Sequence, residues 1–170
     1  MWATLIAVLG TLAGAALASS TQILADRRAR AAQQRDVITA AVGDLLRAVL
    51  AYRERYWLMI AGLRKSRSQT YEELAALYNA RSAVTGAFDH LALVTPDQDL
   101  FAAADEAAWA AIELANIEVD GPDSEGRFSP ATEAALDAGR ERSRDAHTAL
   151  RRAATAHIHP RWPANRRRRG

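Results

Sequence analysis

Residues 1–24 read MWATLIAVLGTLAGAALASSTQIL and contain no charged side chain. The next eleven residues contain one acidic group and four arginines: Asp26, Arg27, Arg28, Arg30 and Arg35. A helix rises 1.5 Å per residue, so roughly 23 residues cover about 35 Å, which is enough to cross the hydrocarbon layer with some tilt. This stretch predicts a single transmembrane helix over residues 1–25.

The charges beside this stretch predict its orientation. No Lys or Arg precedes it, whereas Arg27, Arg28 and Arg30 follow it closely. The positive-inside rule then places the N-terminus outside and the remaining chain in the cytoplasm, as expected for a single-pass protein of the cell (inner) membrane. Trp2 is expected at the outer interface, and the three arginines are expected to contact lipid at the inner one.

Two alternatives to a membrane anchor stay open. Ala16-Leu17-Ala18 resembles a signal-peptidase site, which favours a cleaved export signal. However, no basic residue precedes the apolar stretch, and arginines directly after it oppose translocation. The stretch is diluted by Ala, Gly and Thr, so a buried helix of a soluble protein is the second alternative.

Gly10 and Gly14 form a GxxxG pattern inside the predicted span. Small residues at this spacing let two membrane helices approach closely. They predict a homodimer that forms through the transmembrane helix, although a composition rich in Ala and Gly also produces such spacings by chance.

The composition excludes several classes of site. Cysteine is absent, which excludes disulfides, thiol nucleophiles and thiolate metal sites. The charge is unevenly distributed: net +5 over residues 26–65, −1 over 66–94, −8 over 95–130 and +6 over 131–170. The chain therefore has two basic ends and an acidic middle, and partners are expected to dock on that acidic region.

Hydrophobic periodicity predicts an antiparallel bundle of about four helices over residues 26–160. A heptad stripe marks the first helix to about Arg64: Ile38, Val42, Leu45, Val49, Tyr52, Tyr56, Met59 and Leu63. Thr70 and Glu73 form a capping box for the second helix. Its predicted buried positions are Leu74, Leu77, Tyr78, Val84, Phe88 and Leu91.

Two Ser/Thr-Pro pairs predict the remaining helix starts. Thr95-Pro96 is expected to cap a third helix that runs to about Asn116, and Ser129-Pro130 a fourth that runs to about His159. Residues 117–128, IEVDGPDSEGRF, form the one clear loop, since Asp-Gly-Pro-Asp has turn chemistry. Its acidic residues do not match the spacing of a calcium loop.

Motifs for catalysis are missing. No Glu-x-x-His pattern, phosphate-binding glycine loop or GxSxG is present, so neither enzymatic activity nor a cofactor is expected. The alternative hypothesis is a metal-binding or enzymatic bundle that uses His147, His157 and His159. It is disfavoured because side chains at i and i+2 point to different sides of a helix.

The C-terminal residues 161–170 form a basic tail that is expected to be disordered. It holds Trp162 and the run Arg166, Arg167, Arg168 and Arg169. Each basic group near an anionic leaflet contributes roughly 1 kcal/mol, so membrane lipid is its expected partner. Nucleic-acid binding is a further alternative, disfavoured because no basic stripe interleaves with aromatics along a helix.

The sequence thus predicts a membrane-anchored helical scaffold that binds an unknown protein partner. The three features behind this hypothesis are the uncharged N-terminal stretch, the heptad stripe and the missing catalytic motifs.

Overall fold

The structure is a computed structural model that describes the backbone of residues 2–158 and the side chains of residues 22–158. This part of the chain contains four helices: α1 (Trp2–Arg64), α2 (Tyr71–Val94), α3 (Gln98–Ile112) and α4 (Pro130–Ile158). A short 3₁₀ helix, Glu113–Asn116, extends α3. No strand occurs over residues 2–158, so the predicted all-helical fold is confirmed.

The chain divides into two compact units, residues 1–37 and residues 38–170. In the first unit, every side chain from Gln22 to Val37 is exposed. Among the residues that the structure describes, no helix has a stretch long and apolar enough to cross a membrane. The transmembrane helix predicted over residues 1–25 therefore has no structural support, and the side chains of residues 1–21 lie outside the described part.

The predicted heptad stripe forms the α1 side of the core in the second unit. Its first six positions, from Ile38 to Tyr56, are buried, whereas Met59 and Leu63 are only partly buried. Ile60 is buried instead. A straight α-helix drifts by ~20° per heptad relative to a strict 3.5-residue repeat, so after three heptads the buried face has moved to the next residue.

Helix α3 is buried on more than one face because its side chains are small. It packs against both α2 and α4. Its buried alanines are Ala104, Ala107, Ala108, Ala110 and Ala111. Where α3 meets α2, the rings of Phe88 and Phe101 lie 5.6 Å apart, a favourable aromatic distance. Small side chains let α3 approach both neighbours closely, whereas Ala115, in the 3₁₀ helix after it, is exposed.

Polar contacts show that α4 runs antiparallel to both α1 and α3, as predicted for neighbouring helices of an antiparallel bundle. The end of α1 meets the start of α4, where Arg64 donates two hydrogen bonds of 2.6 Å to Glu133. The start of α3 meets the end of α4 through Asp97 and His157, at 2.8 Å. Between these points, Arg142 on α4 binds Glu113 at 2.5 Å. The Arg64–Glu133 and Asp97–His157 pairs each join opposite ends of two helices, as an antiparallel bundle requires.

Helix starts follow the predicted side-chain chemistry in two of three cases. Both hydrogen bonds of the Thr70–Glu73 capping box are present. At α4, Ser129 accepts a hydrogen bond from the backbone of Thr132. The prediction for α3 was wrong: Thr95 ends α2, and Asp97 is the cap. The Asp97 carboxylate accepts two backbone N–H groups, and its charge suits the positive end of the helix.

Candidate docking groove

Helix α2 exposes apolar side chains beside α1. Tyr71, Leu74 and Tyr78 stand at positions i, i+3 and i+7, which share one helix face. Their side chains are 87%, 37% and 64% exposed, and Leu58 of α1 is 63% exposed. Leu74 and Tyr78 were predicted to be buried in the core, and that prediction was wrong. A cluster of exposed apolar residues marks an interaction surface more often than an isolated one does.

Two adjoining hollows lie between α1 and α2 at this face. Their volumes are about 140 and 280 Å³, and both are lined by Met59, Leu74 and Leu77. We call them together the α1–α2 groove. Each hollow is below the roughly 300–1,000 Å³ of small-molecule sites, which suits single apolar side chains of a protein partner better than a metabolite.

Charged side chains around the groove are mostly cationic. Arg55, Arg67 and Arg81 line it, and Glu73 is the one carboxylate among its lining residues. Glu73 is already bound: it accepts the Thr70 backbone N–H at 3.0 Å and pairs with Arg67 at 2.7 Å. These hydrogen bonds, the backbone one first, lower the pKa of Glu73. The groove therefore offers positive charge to a partner.

The wall of the groove nearest the core is neutral. Tyr52 lines the larger hollow, and its hydroxyl is buried without a hydrogen-bond partner in the described part of the chain. Burial raises the pKa of Tyr52, while the charge of Arg81 opposes that rise. The phenol therefore stays uncharged at neutral pH, and the wall suits apolar contacts.

The turn after α1 closes one end of the groove. Arg67 donates its backbone N–H to Gly62 at 3.1 Å, and Ser66 donates to Leu63 at 2.8 Å, the two bonds of a Schellman motif. A Cβ on Gly62 would lie 3.2 Å from a guanidinium nitrogen of Arg67. Glycine at this position thus allows the Arg67 side chain to approach the helix closely.

The histidines of the metal-binding alternative do not come together where the structure describes them. His157 is bound to Asp97, and His147 lies ten residues earlier, about 15 Å away along the helix axis. His159 lies outside the described residues. Over the side chains of residues 22–158, no group of three His, Cys, Asp or Glu residues is placed to hold a metal ion. The described histidines therefore give no support to the metal-binding alternative.

The predicted membrane-contact residues lie mostly outside the described part. Arg27, Arg28 and Arg30 are exposed along α1. The remaining ones have no described side chains: Trp2, Gly10, Gly14, Trp162, Arg166, Arg167, Arg168 and Arg169. The lipid contacts and the transmembrane dimer stay predictions.

Much of the acidic region expected to dock a partner is occupied from within. Arg142 binds both Glu106 and Glu113, and Asp123 accepts backbone N–H groups from Glu125 and Arg127. These internal hydrogen bonds with backbone N–H groups and Arg127 lower the pKa of Asp123. The acidic loop is thus a self-contained turn, and the α1–α2 groove is the more open surface.

Comparison with known proteins gives a family for this bundle. The profile of the family described as KilB plasmid transfer protein matches residues 39–158, which is 120 of the 170 residues. The chain belongs to the KilB family. The KilB match begins one residue after the second compact unit begins, and it includes all residues of the α1–α2 groove. No curated protein and no solved structure matches the chain.

No sequence pattern identified the groove in advance. The hydrophobic periodicity of α2 has the same form whether a face meets the core or a partner. One signal was available: α2 carries apolar residues on a wider arc than one neighbouring helix covers, from Leu77 and Val84 round to Tyr71 and Tyr78.

Proposed function

We propose that this KilB-family protein serves plasmid transfer as a membrane-anchored helical interaction protein without catalytic activity. In this proposal, the α1–α2 groove binds an amphipathic helix of a partner protein. The observation that carries it is a set of exposed apolar side chains around two small hollows, flanked by arginines.

The chemistry of the groove defines the partner segment. Two hollows beside antiparallel helices suit large apolar side chains one or two turns apart on a partner helix, the usual helix-in-groove mode. Arg55 and Arg81 favour Asp or Glu beside these apolar anchors. Fully burying two such anchors contributes roughly 3–6 kcal/mol before association costs, which fits a reversible contact.

The anchor in this proposal is residues 1–25, with the N-terminus outside and the bundle in the cytoplasm. Its support comes from the sequence: no charge up to Leu24, followed by the exposed Arg27, Arg28 and Arg30. Trp162 and Arg166–Arg169 add contacts with the anionic leaflet, and Gly10 with Gly14 supports a dimer in the membrane.

Site-specific photo-crosslinking tests the groove. A photoreactive residue at position 74 in the full-length protein, in cells carrying the plasmid, is expected to trap one discrete partner. Leu93 gives a matched control, because it is an exposed leucine of α2 that lies about 28 Å from Leu74 along the axis. Equal adducts at both positions, or none at position 74, contradict the groove.

A charge variant adds a functional measurement. Leu58→Glu keeps an exposed position exposed, so the thermal unfolding midpoint should change little. The adduct at position 74 and the frequency of plasmid transfer should both fall. If the adduct is lost and plasmid transfer keeps its normal frequency, transfer does not require partner binding in the groove.

Fractionation tests the anchor separately. The full chain is expected in the membrane fraction after alkaline carbonate washing, and a chain without residues 1–25 is expected in the supernatant. A reporter fused after Gly170 should be active only in the cytoplasm. Recovery of the full chain as a soluble protein, or an active reporter outside the cell, would refute the anchor. The crosslinking test of the groove does not depend on that outcome.

A further inference from the structure

Helix α4 carries a row of basic side chains on one face. Arg140, Arg144, His147 and Arg151 stand at i, i+4, i+7 and i+11, a spacing that keeps side chains on one side of a helix. Arg53 of α1 lies against this face. We call Arg53, Arg140, Arg144 and Arg151 the basic row. It lies between α1 and α4, whereas the α1–α2 groove lies on the other flank of α1.

Contacts between the two helices hold the row in place. The guanidinium carbon of Arg140 lies 4.3 Å above the Trp57 ring, which fixes that cation by a cation–π contact. Arg53 is partly buried, and the charge of Arg144 adds to burial in lowering its pKa. Burial first, then the charges of Arg53 and Arg151, lowers the pKa of His147. The cations of the row are therefore close enough to repel one another.

Carboxylates do not offset this repulsion. In the described part of the chain, Arg53, Arg144 and Arg151 form no ion pair, and Arg140 reaches Asp137 only at 4.0 Å. Arginines elsewhere are paired closely, as Arg64 is with Glu133 at 2.6 Å. The next carboxylates along this face, Asp137 and Glu133, lie at the N-terminal end of α4. The row is thus a local excess of positive charge.

Two buried nitrogen atoms at the row are unsatisfied within the part that the structure describes. The Nε of Arg53 and the Nδ1 of His147 are buried without a hydrogen-bond partner among the described residues. Anionic oxygens that meet the exposed cations of the row would relieve the repulsion among the arginines.

We propose that the basic row binds the phosphate backbone of double-stranded DNA. From Arg140 to Arg151 the row covers about 16 Å of helix axis. One strand of duplex DNA presents a phosphate every ~3.4 Å along its axis, so several phosphates fall within reach of the four arginines. A narrow line of cations suits a rod-like polyanion, whereas a flat leaflet requires a patch spread over several helices.

The same geometry makes this binding independent of sequence. Trp57 cannot act as a stacking platform for a splayed base on the face that Arg140 covers. Arginines that meet phosphates fix position without reading base edges. Duplex DNA of any sequence is therefore the expected ligand. This surface was not predicted from the sequence, because its cations and its aromatic ring come from two different helices.

The test measures binding of the full-length protein, in detergent micelles, to a fluorescently labelled DNA duplex of about 24 base pairs and arbitrary sequence. Fluorescence anisotropy gives the dissociation constant at several salt concentrations. The test variant is Arg144→Gln with Arg151→Gln. The control variant is Lys65→Gln with Arg127→Gln, which removes the same charge at exposed positions far from Arg144 and Arg151.

Counterion release sets the expected size of the effect. Each lost phosphate contact reduces the slope of log K against log salt by about 0.9, so the test variant should lose about 2 units of slope. At 0.1 M salt this corresponds to a roughly 60-fold weaker affinity. The control should change affinity by no more than about 3-fold, because distant charges are screened.

The C-terminal tail is also basic, so its contribution to DNA binding is measured separately. Both variants are repeated in a background in which Arg166, Arg167, Arg168 and Arg169 are all replaced by glutamine. A loss specific to the row in both backgrounds supports the proposal. Equal losses in test and control variants overturn it, as does DNA binding that depends on the tail alone.

A lipid arm separates DNA from membranes. Vesicles of phosphatidylglycerol and phosphatidylcholine are titrated with the same variants. If the test variant weakens vesicle binding and leaves DNA binding unchanged, the row is a lipid surface and the proposal is overturned. Thermal unfolding of each variant shows that the fold is intact, as expected for substitutions at exposed positions.

Discussion

Replacing Gly126 by alanine tests how the loop before α4 is joined to the end of α1. Gly126 has a φ of +77°, in the left-handed region that residues with a side chain rarely adopt. A Cβ at this position would lie 2.5 Å from the carbonyl oxygen of Arg64. That oxygen belongs to the backbone at the end of α1, so it cannot move aside as the tip of a side chain can.

Two terms set the size of the effect. Holding alanine in the left-handed conformation costs roughly 1–2 kcal/mol. Relieving the overlap with the carbonyl adds about 1–3 kcal/mol, the usual range for overpacking. The free energy of unfolding of Gly126→Ala should therefore fall by about 2–5 kcal/mol, a large part of the stability of a small domain.

The same loop provides the control. Nothing lies within 4 Å of a Cβ built on Gly121, and its φ is not in the left-handed region. Gly121→Ala should leave stability unchanged or raise it by about 0.4–1 kcal/mol, because alanine restricts the unfolded chain. Urea unfolding followed by circular dichroism at matched pH measures both variants.

A shifted carbonyl should also disturb the Arg64 side chain. Its guanidinium donates to Glu133 and lies 4.9 Å from the centre of the Phe128 ring. If Gly126→Ala and Gly121→Ala unfold within about 0.5 kcal/mol of each other, the reasoning fails, because neither the backbone strain nor the overlap would then exist in solution.

Two further predictions concern stability. Ser66 has a φ of 52° at the C′ position after α1, so Ser66→Gly should raise the free energy of unfolding by about 0.5–1 kcal/mol, and a loss of stability would contradict the Schellman assignment. Burial raises the pKa of Tyr56 to about 12 from the ordinary 10.0. An unfolded tyrosine loses its proton near pH 10, so stability should fall between about pH 10 and 12, by up to about 3 kcal/mol. Urea unfolding at pH 9 and at pH 11.5 should show this loss of stability in the parent protein and a smaller loss in Tyr56→Phe. An equal loss in both proteins would mean that a group other than Tyr56 causes it.

Much of the local structure followed from short-range chemistry. Thr70 and Glu73 satisfy each other's backbone N–H groups, so a stretch of four residues is enough to place the start of α2. Ser129 acts in the same way at α4. At α3 two acceptors, Thr95 and Asp97, stand close together, and the choice between them depended on how α2 ends.

The direction in which each helix faces was harder to predict. The spacing of apolar residues on α1 gave six correct core positions, because a single face of that helix meets the bundle. On α2 the same reasoning put Leu74 and Tyr78 in the core, although both are exposed. Periodicity records that a face is apolar, and only the number of neighbouring helices shows whether that face is covered.

The two candidate binding surfaces depend on pairs of distant segments. The α1–α2 groove needs Met59 beside Leu77, and the basic row needs Arg53 beside Arg144. Neither pair has a regular spacing along the chain. Their proximity follows from the crossing and register of packed helices.

By itself, the sequence determined that the described chain is helical, where its helices begin and end within a few residues, and which residues of α1 form the core. These properties depend on hydrogen bonds and apolar spacing within a few helical turns. Contacts at that range form independently of how the rest of the chain folds. The tertiary structure alone decided which apolar face of α2 stays open and which arginines of α1 and α4 stand together. Those outcomes depend on how whole helices pack, since packing determines which residues distant in sequence share a surface.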